Sequence, residues 1–472
     1  MESFYIGIDI GTTATKAVCF DINGKVIRQF SHSYPMYHPK PDWSVQKPDE
    51  ILDAVLACIA EITKGIKPEF ISFSSAMQSI IAVNKDGTPI TDALLWADNR
   101  SHTWAEKLKN SEQGKDFYQK TGIPIHPFSP MTKIAWFKEF DTEVFLKTYK
   151  FISIKEYVWQ KLTGEYAIDS SMASGTGLMN IHNLKWETDI LDYLTIKENQ
   201  LSTIYSPTHQ RKGLDDNFLY ILGGGDGALA NLGTGAMKQG RIALTIGTSG
   251  AVRLPIDKPY IDSEMRTQCY HLLGNKYLKL GAVNNGAIIL QWIKESILKT
   301  DDSFETLFEE AEKIPAGSEG LLFVPYLLGE RAPIWDASAE GTLLGIRIIH
   351  TRAHLIRATL EGILFGLLSV TEILLPDLDK RHETTIMASV GFGKSELWLQ
   401  MVADIFQMNV AVSETTEGSA WGAVLLGMKS IKTEVPDDNP HMKLFSPNPL
   451  NKKVYEQNFD KFKRVYPLLK EL

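Results

Sequence analysis

The 472 residues are 44% hydrophobic and 22% charged, an ordinary balance for a soluble globular chain, and at about 150 residues per domain the length predicts two or three domains. The formal net charge of −8 argues against a nucleic-acid binder, whose affinity rests on Lys and Arg neutralising phosphates. The three cysteines, Cys19, Cys58 and Cys269, are far apart and lack metal-ligand spacing. They exclude a disulfide framework and fit buried thiols in a reducing cytoplasm.

The first residues run into a strand with no basic region or apolar signal core, so a cytoplasmic protein with no membrane partner is expected. Ile6, Ile8 and Ile10 alternate with Tyr5, Gly7 and Asp9, which gives one aliphatic face and one carrying a carboxylate. Gly11-Thr12-Thr13 then turns the chain into a second apolar run at residues 17–20. The unit reads as a hairpin with an acid at its tip. Gly11 lets backbone N–H groups approach an anion, Thr12 and Thr13 add hydroxyl donors, and Asp9 offers the oxygen ligand that Mg²⁺ prefers. An ATP site requires such a cradle beside a carboxylate. An ordinary hairpin with a surface acid is the plainer alternative.

After the Asp21-Ile22-Asn23-Gly24 turn, residues 26–29 make a third strand. Pro48-Asp49-Glu50 opens a helix with Ile51, Leu52, Val55, Leu56 and Ile59 at helical spacing. Residues 70–74 form a short strand that runs into Met77-Gln78, and Trp96-Ala97-Asp98-Asn99-Arg100 follows. Glycines cluster over residues 223–250, and with no low-complexity linker the domain boundary is placed near residue 240, giving domains 1–240 and 241–472. Residues 362–376 are apolar but short and interrupted by Ser369, Thr371 and Glu372, so they read as a buried helix and not a membrane crossing. An internal echo supports two halves. Ile8-Asp9-Ile10-Gly11-Thr12-Thr13 is answered by Leu244-Thr245-Ile246-Gly247-Thr248-Ser249, and a duplicated domain with a phosphate-binding hairpin in each half would place ATP between them.

Taken in order, several motifs resemble the FGGY carbohydrate kinases, of the actin-like ATPase fold. They are Gly7-Ile8-Asp9-Ile10-Gly11-Thr12-Thr13, Trp96-Ala97-Asp98-Asn99-Arg100, Gly223-Gly224-Gly225-Asp226-Gly227, Thr245-Ile246-Gly247-Thr248-Ser249-Gly250, Gly329-Glu330-Arg331-Ala332-Pro333, Arg357-Ala358-Thr359-Leu360-Glu361-Gly362 and Ser419-Ala420-Trp421-Gly422-Ala423. The resemblance covers essentially the whole chain. It implies an α/β fold of two actin-like (ribonuclease H-like) domains with an ATP cleft between them, and transfer of the γ-phosphate to a sugar hydroxyl. Asp226 matches the family's general base, and the chemistry agrees, because a carboxylate in reach takes the proton of a poorly nucleophilic hydroxyl. Asp9 matches the acid associated with Mg²⁺. Gly11, Thr12 and Thr13 match the first phosphate loop, and Gly247, Thr248 and Ser249 the second. Gly391, Gly393 and Ser395 correspond to the nucleotide side, where Val390-Gly391 departs from the usual Gly-Gly pair. The same turn nearly fits a P-loop, but Ala388 stands where the strict motif needs Gly. Glu330-Arg331 reads as a buried ion pair fixing domain geometry, or as part of the nucleotide cleft.

Substrate selection is expected from Met77, Gln78, Trp96, Asp98 and Arg100, together with Asp226. Among family members the likeness is to the gluconate kinases, which implies D-gluconate converted to 6-phosphogluconate; D-xylulose phosphorylated at its 5-hydroxyl is the alternative. Gln78 sits where His is usual. The change keeps hydrogen-bonding capacity but removes any positive charge, so a carboxylate substrate would need a cation such as Arg100, Lys133 or Lys155. A non-catalytic actin-like sugar and ATP sensor is the reading from a different class. The resemblance also allows a homodimer.

Overall fold

The computed structural model describes residues 3–388, 395–413, 417–435 and 442–470. They fall into two compact units. One comprises Met1–Gly233, Ile256–Leu278 and Glu417–Asp438; the other comprises Thr234–Pro255, Lys279–Thr416 and Asn439–Leu472. Two insertions from later in the chain therefore belong to the first unit.

The first unit is built on strands β1 (Tyr5–Ile10), β2 (Ala14–Phe20), β3 (Val26–Ser33), β4 (Phe70–Ser75), β5 (Gln210–Lys212) and β6 (Leu219–Gly225), in the order β5–β6–β4–β1–β2–β3. β1 and β2 form the expected antiparallel hairpin, while β1, β4 and β6 run parallel. In the second unit, β7 (Arg241–Ile246), β8 (Gly250–Ile256), β9 (Lys276–Val283), β10 (Thr385–Ala388), β11 (Asn409–Ser413) and β12 (Met442–Phe445) run in the order β12–β11–β10–β7–β8–β9. Again a hairpin, β7–β8, is extended by two parallel strands, β10 and β11, and closed by an antiparallel edge strand. The echo between the two Gly-Thr turns is thus the visible part of a duplicated sheet, the two-domain α/β fold that the resemblance implied.

β1 departs from the alternation read in the sequence, because both of its faces are covered. Ile6, Ile8 and Ile10 pack against Ile51, Val55, Cys58 and Ile62 of the Pro48–Ile62 helix. Tyr5, on the other face, joins Phe70, Ala420, Trp421 and Val424, the last three from the Gly418–Ser430 helix. Gly7 makes that second contact possible: a Cβ there would lie 2.2 Å from the Ala420 carbonyl oxygen. The covering helix lies some four hundred residues away, so local periodicity carries no trace of it. In the second unit, the Arg352–Leu374 helix is long and apolar enough to cross a membrane, but most of its apolar window is buried inside the protein. It contains most of the stretch expected to be a buried helix.

The carboxyl ends of β1, β4 and β6 lead into the Gly11-Thr12-Thr13 turn, the Met77-Gln78 turn and Asp226 respectively. Ligands of parallel α/β sheets bind beyond this end of the strands.

Candidate active site

Register brings the acids together. Asp9 on β1 pairs across with Ser74 on β4, and Ser74 pairs with Gly224 on β6. Asp226 follows two residues later as the first residue of the Asp226–Gly233 helix. Ser74 Oγ donates to Asp9 Oδ1 at 2.7 Å. Burial, reinforced by the neighbouring Asp226 charge, pushes the Asp9 carboxyl up to about 6, against the opposing pull of Ser74 and Lys16. Asp226 Oδ1 accepts from the Gly227 N–H at 2.7 Å. The residue before it lies close to the turn after β4: a Cβ on Gly225 would lie 2.6 Å from Met77 Sδ.

The first phosphate loop is held by its carbonyls. Tyr34 Oη donates to the Gly11 oxygen at 2.7 Å, Gln46 Nε2 to the Thr12 oxygen at 2.7 Å, and the Tyr34 N–H to the Thr13 oxygen at 3.1 Å. In a trans peptide the N–H points opposite to the C=O, so fixing these oxygens turns the N–H groups of Thr12 and Thr13 to the other side of the loop. Backbone N–H groups presented in this way suit an anion. Trp96 Nε1 donates to Thr12 Oγ1 at 3.4 Å, which joins the Trp96 segment to the loop. Lys16, opposite Asp9 on β2, donates to both carboxylate oxygens of Glu417 at 3.0 Å. Neither Lys16, Glu417 nor Ser74 was singled out from the sequence; only the β1–β2 register, which places residue 16 opposite residue 9, carries a signal for Lys16.

In the second unit, Gly247 N–H donates to the Ser249 oxygen at 2.8 Å, and the loop's Gly247 and Thr248 carbonyls accept from Ala287 N–H at 2.7 Å and Ile288 N–H at 3.3 Å. Gly247 and Thr248 are exposed. Ser395 caps the Glu396–Phe406 helix through Trp398 N–H at 3.3 Å. Gly391 and Gly393, with Val390, lie outside the described residues. Glu330 is buried and accepts from Asn284 N–H at 2.5 Å, Arg331 N–H at 2.8 Å and Asn285 Nδ2 at 3.0 Å. Arg331 donates a guanidinium N–H to the Val283 oxygen at 3.1 Å. Burial pushes the Glu330 carboxyl up to about 7.

The cations named from the sequence are committed to internal partners. Arg100 forks onto Asp98 with two 2.8 Å bonds and lies 3.5 Å from the centre of the Trp43 ring. Asp98 has no exposed surface and also accepts from Ser44 N–H at 2.8 Å. Lys133 has no exposed surface, donates to the Phe128 oxygen at 2.7 Å, and is pushed down to about 7 by burial. Lys155 is paired with Asp169 in the interior. Gln78 is partly exposed, has φ of 71°, and donates Nε2 to Tyr270 Oη at 2.7 Å.

Asp9 and Asp226 also bear on a metal. Among the described residues, no group of three His, Cys, Asp or Glu side chains forms a cage. Two acids beside an anion cradle fit Mg²⁺ instead, which is commonly held by one or two carboxylates, with waters and phosphate oxygens completing its shell.

Duplicated sheets, each with a Gly-Thr loop in its first hairpin, together with an acid at the end of β6, define a class of phosphoryl-transfer proteins. The description of the N-terminal domain of the FGGY family of carbohydrate kinases matches residues 4–233, and that of its C-terminal domain matches residues 242–431. The chain belongs to the FGGY family of carbohydrate kinases. It is 42% identical to a gluconokinase of Bacillus subtilis over 91% of this chain and 88% of the relative. A gluconate kinase structure from Lactobacillus acidophilus superposes with a TM-score of 0.95 at 35% identity, covering 99% of this chain and 98% of the other. A ligand-bound xylulose kinase structure from the same organism gives the same TM-score, identity and coverage.

Proposed function

We propose that the chain transfers the γ-phosphoryl group of ATP to the terminal hydroxyl of D-gluconate, giving 6-phosphogluconate. The observation that carries the transfer chemistry is the placement of Asp226 at the carboxyl end of β6, across Ser74 from Asp9. The choice of gluconate is supported by the 42% identity to the Bacillus gluconokinase.

In this reading Asp226 accepts the proton of the attacking hydroxyl as the new O–P bond forms and the bond to ADP breaks. Asp9 would hold Mg²⁺, which when bound would supply charge neutralisation to the phosphate oxygens. Gly11, Thr12 and Thr13 of the first loop, and Gly247, Thr248 and Ser249 of the second, bind phosphate through N–H and hydroxyl groups. Ser395, with Gly391 and Gly393, is assigned to the nucleotide side. Met77, Gln78 and Trp96 face the acceptor, while the Asp98–Arg100 pair braces the segment that carries Trp96. The gluconate carboxylate then relies on neutral donors, since Arg100, Lys133 and Lys155 already have internal partners.

D-Xylulose is the second reading, favoured by the Lactobacillus xylulose kinase structure. ADP formation with ATP–Mg²⁺ and one acceptor at a time, among gluconate, D-xylulose, L-ribulose, glycerol and none, separates the two. Turnover specific to gluconate is expected. Turnover with D-xylulose alone would overturn the substrate and leave the transfer chemistry standing.

A further inference from the structure

Gln78 is the outer end of a buried hydrogen-bond relay. Tyr270 Oη donates to Gln268 Oε1 at 2.5 Å, and Gln78 Nε2 donates to Tyr270 Oη at 2.7 Å. Gln268 and Tyr270 are buried, whereas Gln78 is partly exposed. The relay has a direction. A tyrosine hydroxyl carries one proton, and here it goes to Gln268, so Tyr270 receives from Gln78 as an acceptor. The amide nitrogen of Gln78 is thereby turned inward, and its carbonyl oxygen is the end directed away from Tyr270.

The backbone is set to match. Gln78 has φ of 71°, in the left-handed region that residues with a Cβ seldom occupy, and such conformations persist where the surroundings hold them. Its neighbour Met77 packs on the backbone of Gly225, next to Asp226: a Cβ on Gly225 would lie 2.6 Å from Met77 Sδ. The ring of Tyr270 is on the same side, 3.8 Å from where a Cβ on Gly175 would sit, and a Cβ there would also be 2.5 Å from Met77 Cε. Met77, the chain neighbour of Gln78, thus links the relay to the Gly225 backbone that precedes Asp226.

We propose that Tyr270 and Gln268 are positioning residues that make Gln78 an acceptor toward the substrate, so that this position reads a hydroxyl of the polyol chain and not a carboxylate. The inference rests on the sugar-kinase reading. A histidine at this position presents a donor or an acceptor according to its tautomer; a glutamine clamped through one amide N–H keeps its carbonyl oxygen as the acceptor turned away from Tyr270, with the second N–H beside the clamp. An acceptor aimed at a hydroxyl favours substrates that carry it and repels an anionic group.

A double-mutant cycle on the full chain tests this, using Gln78→Ala, Tyr270→Phe and the double variant, with gluconate and D-xylulose as acceptors. Each single substitution is expected to raise the acceptor KM about tenfold, the loss of one hydrogen bond, with kcat and the ATP KM little changed. Tyr270→Phe is expected to add nothing in the Gln78→Ala background, because it acts through Gln78. Gln268→Leu, which leaves the tyrosine in place, is expected to repeat the effect. Additive losses, or an unchanged acceptor KM in Tyr270→Phe and Gln268→Leu, would overturn the relay while leaving the kinase reading intact. No turnover of either acceptor by the unsubstituted protein would overturn the substrate reading, and this inference with it.

Discussion

Asp9 and Ser74 face each other across adjacent parallel strands, with the serine hydroxyl donating to the carboxylate at 2.7 Å. The bond orients one Asp9 oxygen and opposes the upward push of burial on its carboxyl. Removing it with Ser74→Ala is expected to weaken the Mg²⁺ dependence of turnover about tenfold, in the range seen when an outer partner of a metal ligand is lost. A Mg²⁺ titration at fixed ATP measures this. An unchanged midpoint would separate Asp9 from the metal.

Asp9 also predicts a pH profile. Its carboxyl sits at about 6, so kcat/KM for ATP–Mg²⁺ should fall as pH is lowered through that value and the carboxylate is protonated. Asp9→Asn is expected to lose this limb along with most of the activity. A rate that stays flat from pH 7 to 5 would contradict the assignment.

Lys133 gives a stability prediction. Its ammonium is buried with the Phe128 carbonyl as hydrogen-bond partner and is pushed down to about 7. Between about 7 and 10.5 the unfolded chain holds a proton that the folded state has released, so the contribution of Lys133 to stability rises with pH across that window. Lys133→Met is expected to raise the unfolding midpoint at neutral pH and to remove the rise. Acceptor KM should stay unchanged, because the ammonium does not reach the surface. Denaturant melts at pH 7 and pH 10, with acceptor kinetics, check both.

Glu330 predicts the opposite slope. Its carboxyl rises from 4.5 to about 7 on folding, so across that window the folded state holds the extra proton and stability declines as pH rises. Glu330→Gln should flatten the decline, read from unfolding midpoints at pH 5 and pH 8. A wild-type slope in the variant would show that another group carries it.

Much of this arrangement was legible in the sequence because it is local. The β1–β2 hairpin, the Asp226 turn and the repeated Gly-Thr loops each lie within a few residues, and a strand followed by a glycine turn has few alternatives. What could not be read depends on distant partners. The helix covering Gly7, the Glu417 carboxylate on Lys16 and the Tyr270 hydroxyl on Gln78 come from segments hundreds of residues away. The charges of Arg100, Lys133 and Lys155 looked available for a substrate because a sequence does not show that the Asp98 carboxylate, the Phe128 carbonyl and the Asp169 carboxylate are bonded to them.

Gly7 makes the distant contact testable. A methyl group there would lie 2.2 Å from the Ala420 oxygen, a backbone atom with little freedom to move. Gly7→Ala is expected to destabilise the first unit by about 1–3 kcal/mol, the usual range for overpacking. A thermal melt indistinguishable from wild type would mean that the Gly418–Ser430 helix does not pack there.

Asp226 as the base for the attacking hydroxyl is tested by steady-state turnover of gluconate in Asp226→Asn, alongside ATP binding measured by calorimetry. A kcat lower by about 10²–10⁴-fold is expected, with ATP affinity retained. Near wild-type turnover with ATP bound normally would contradict it.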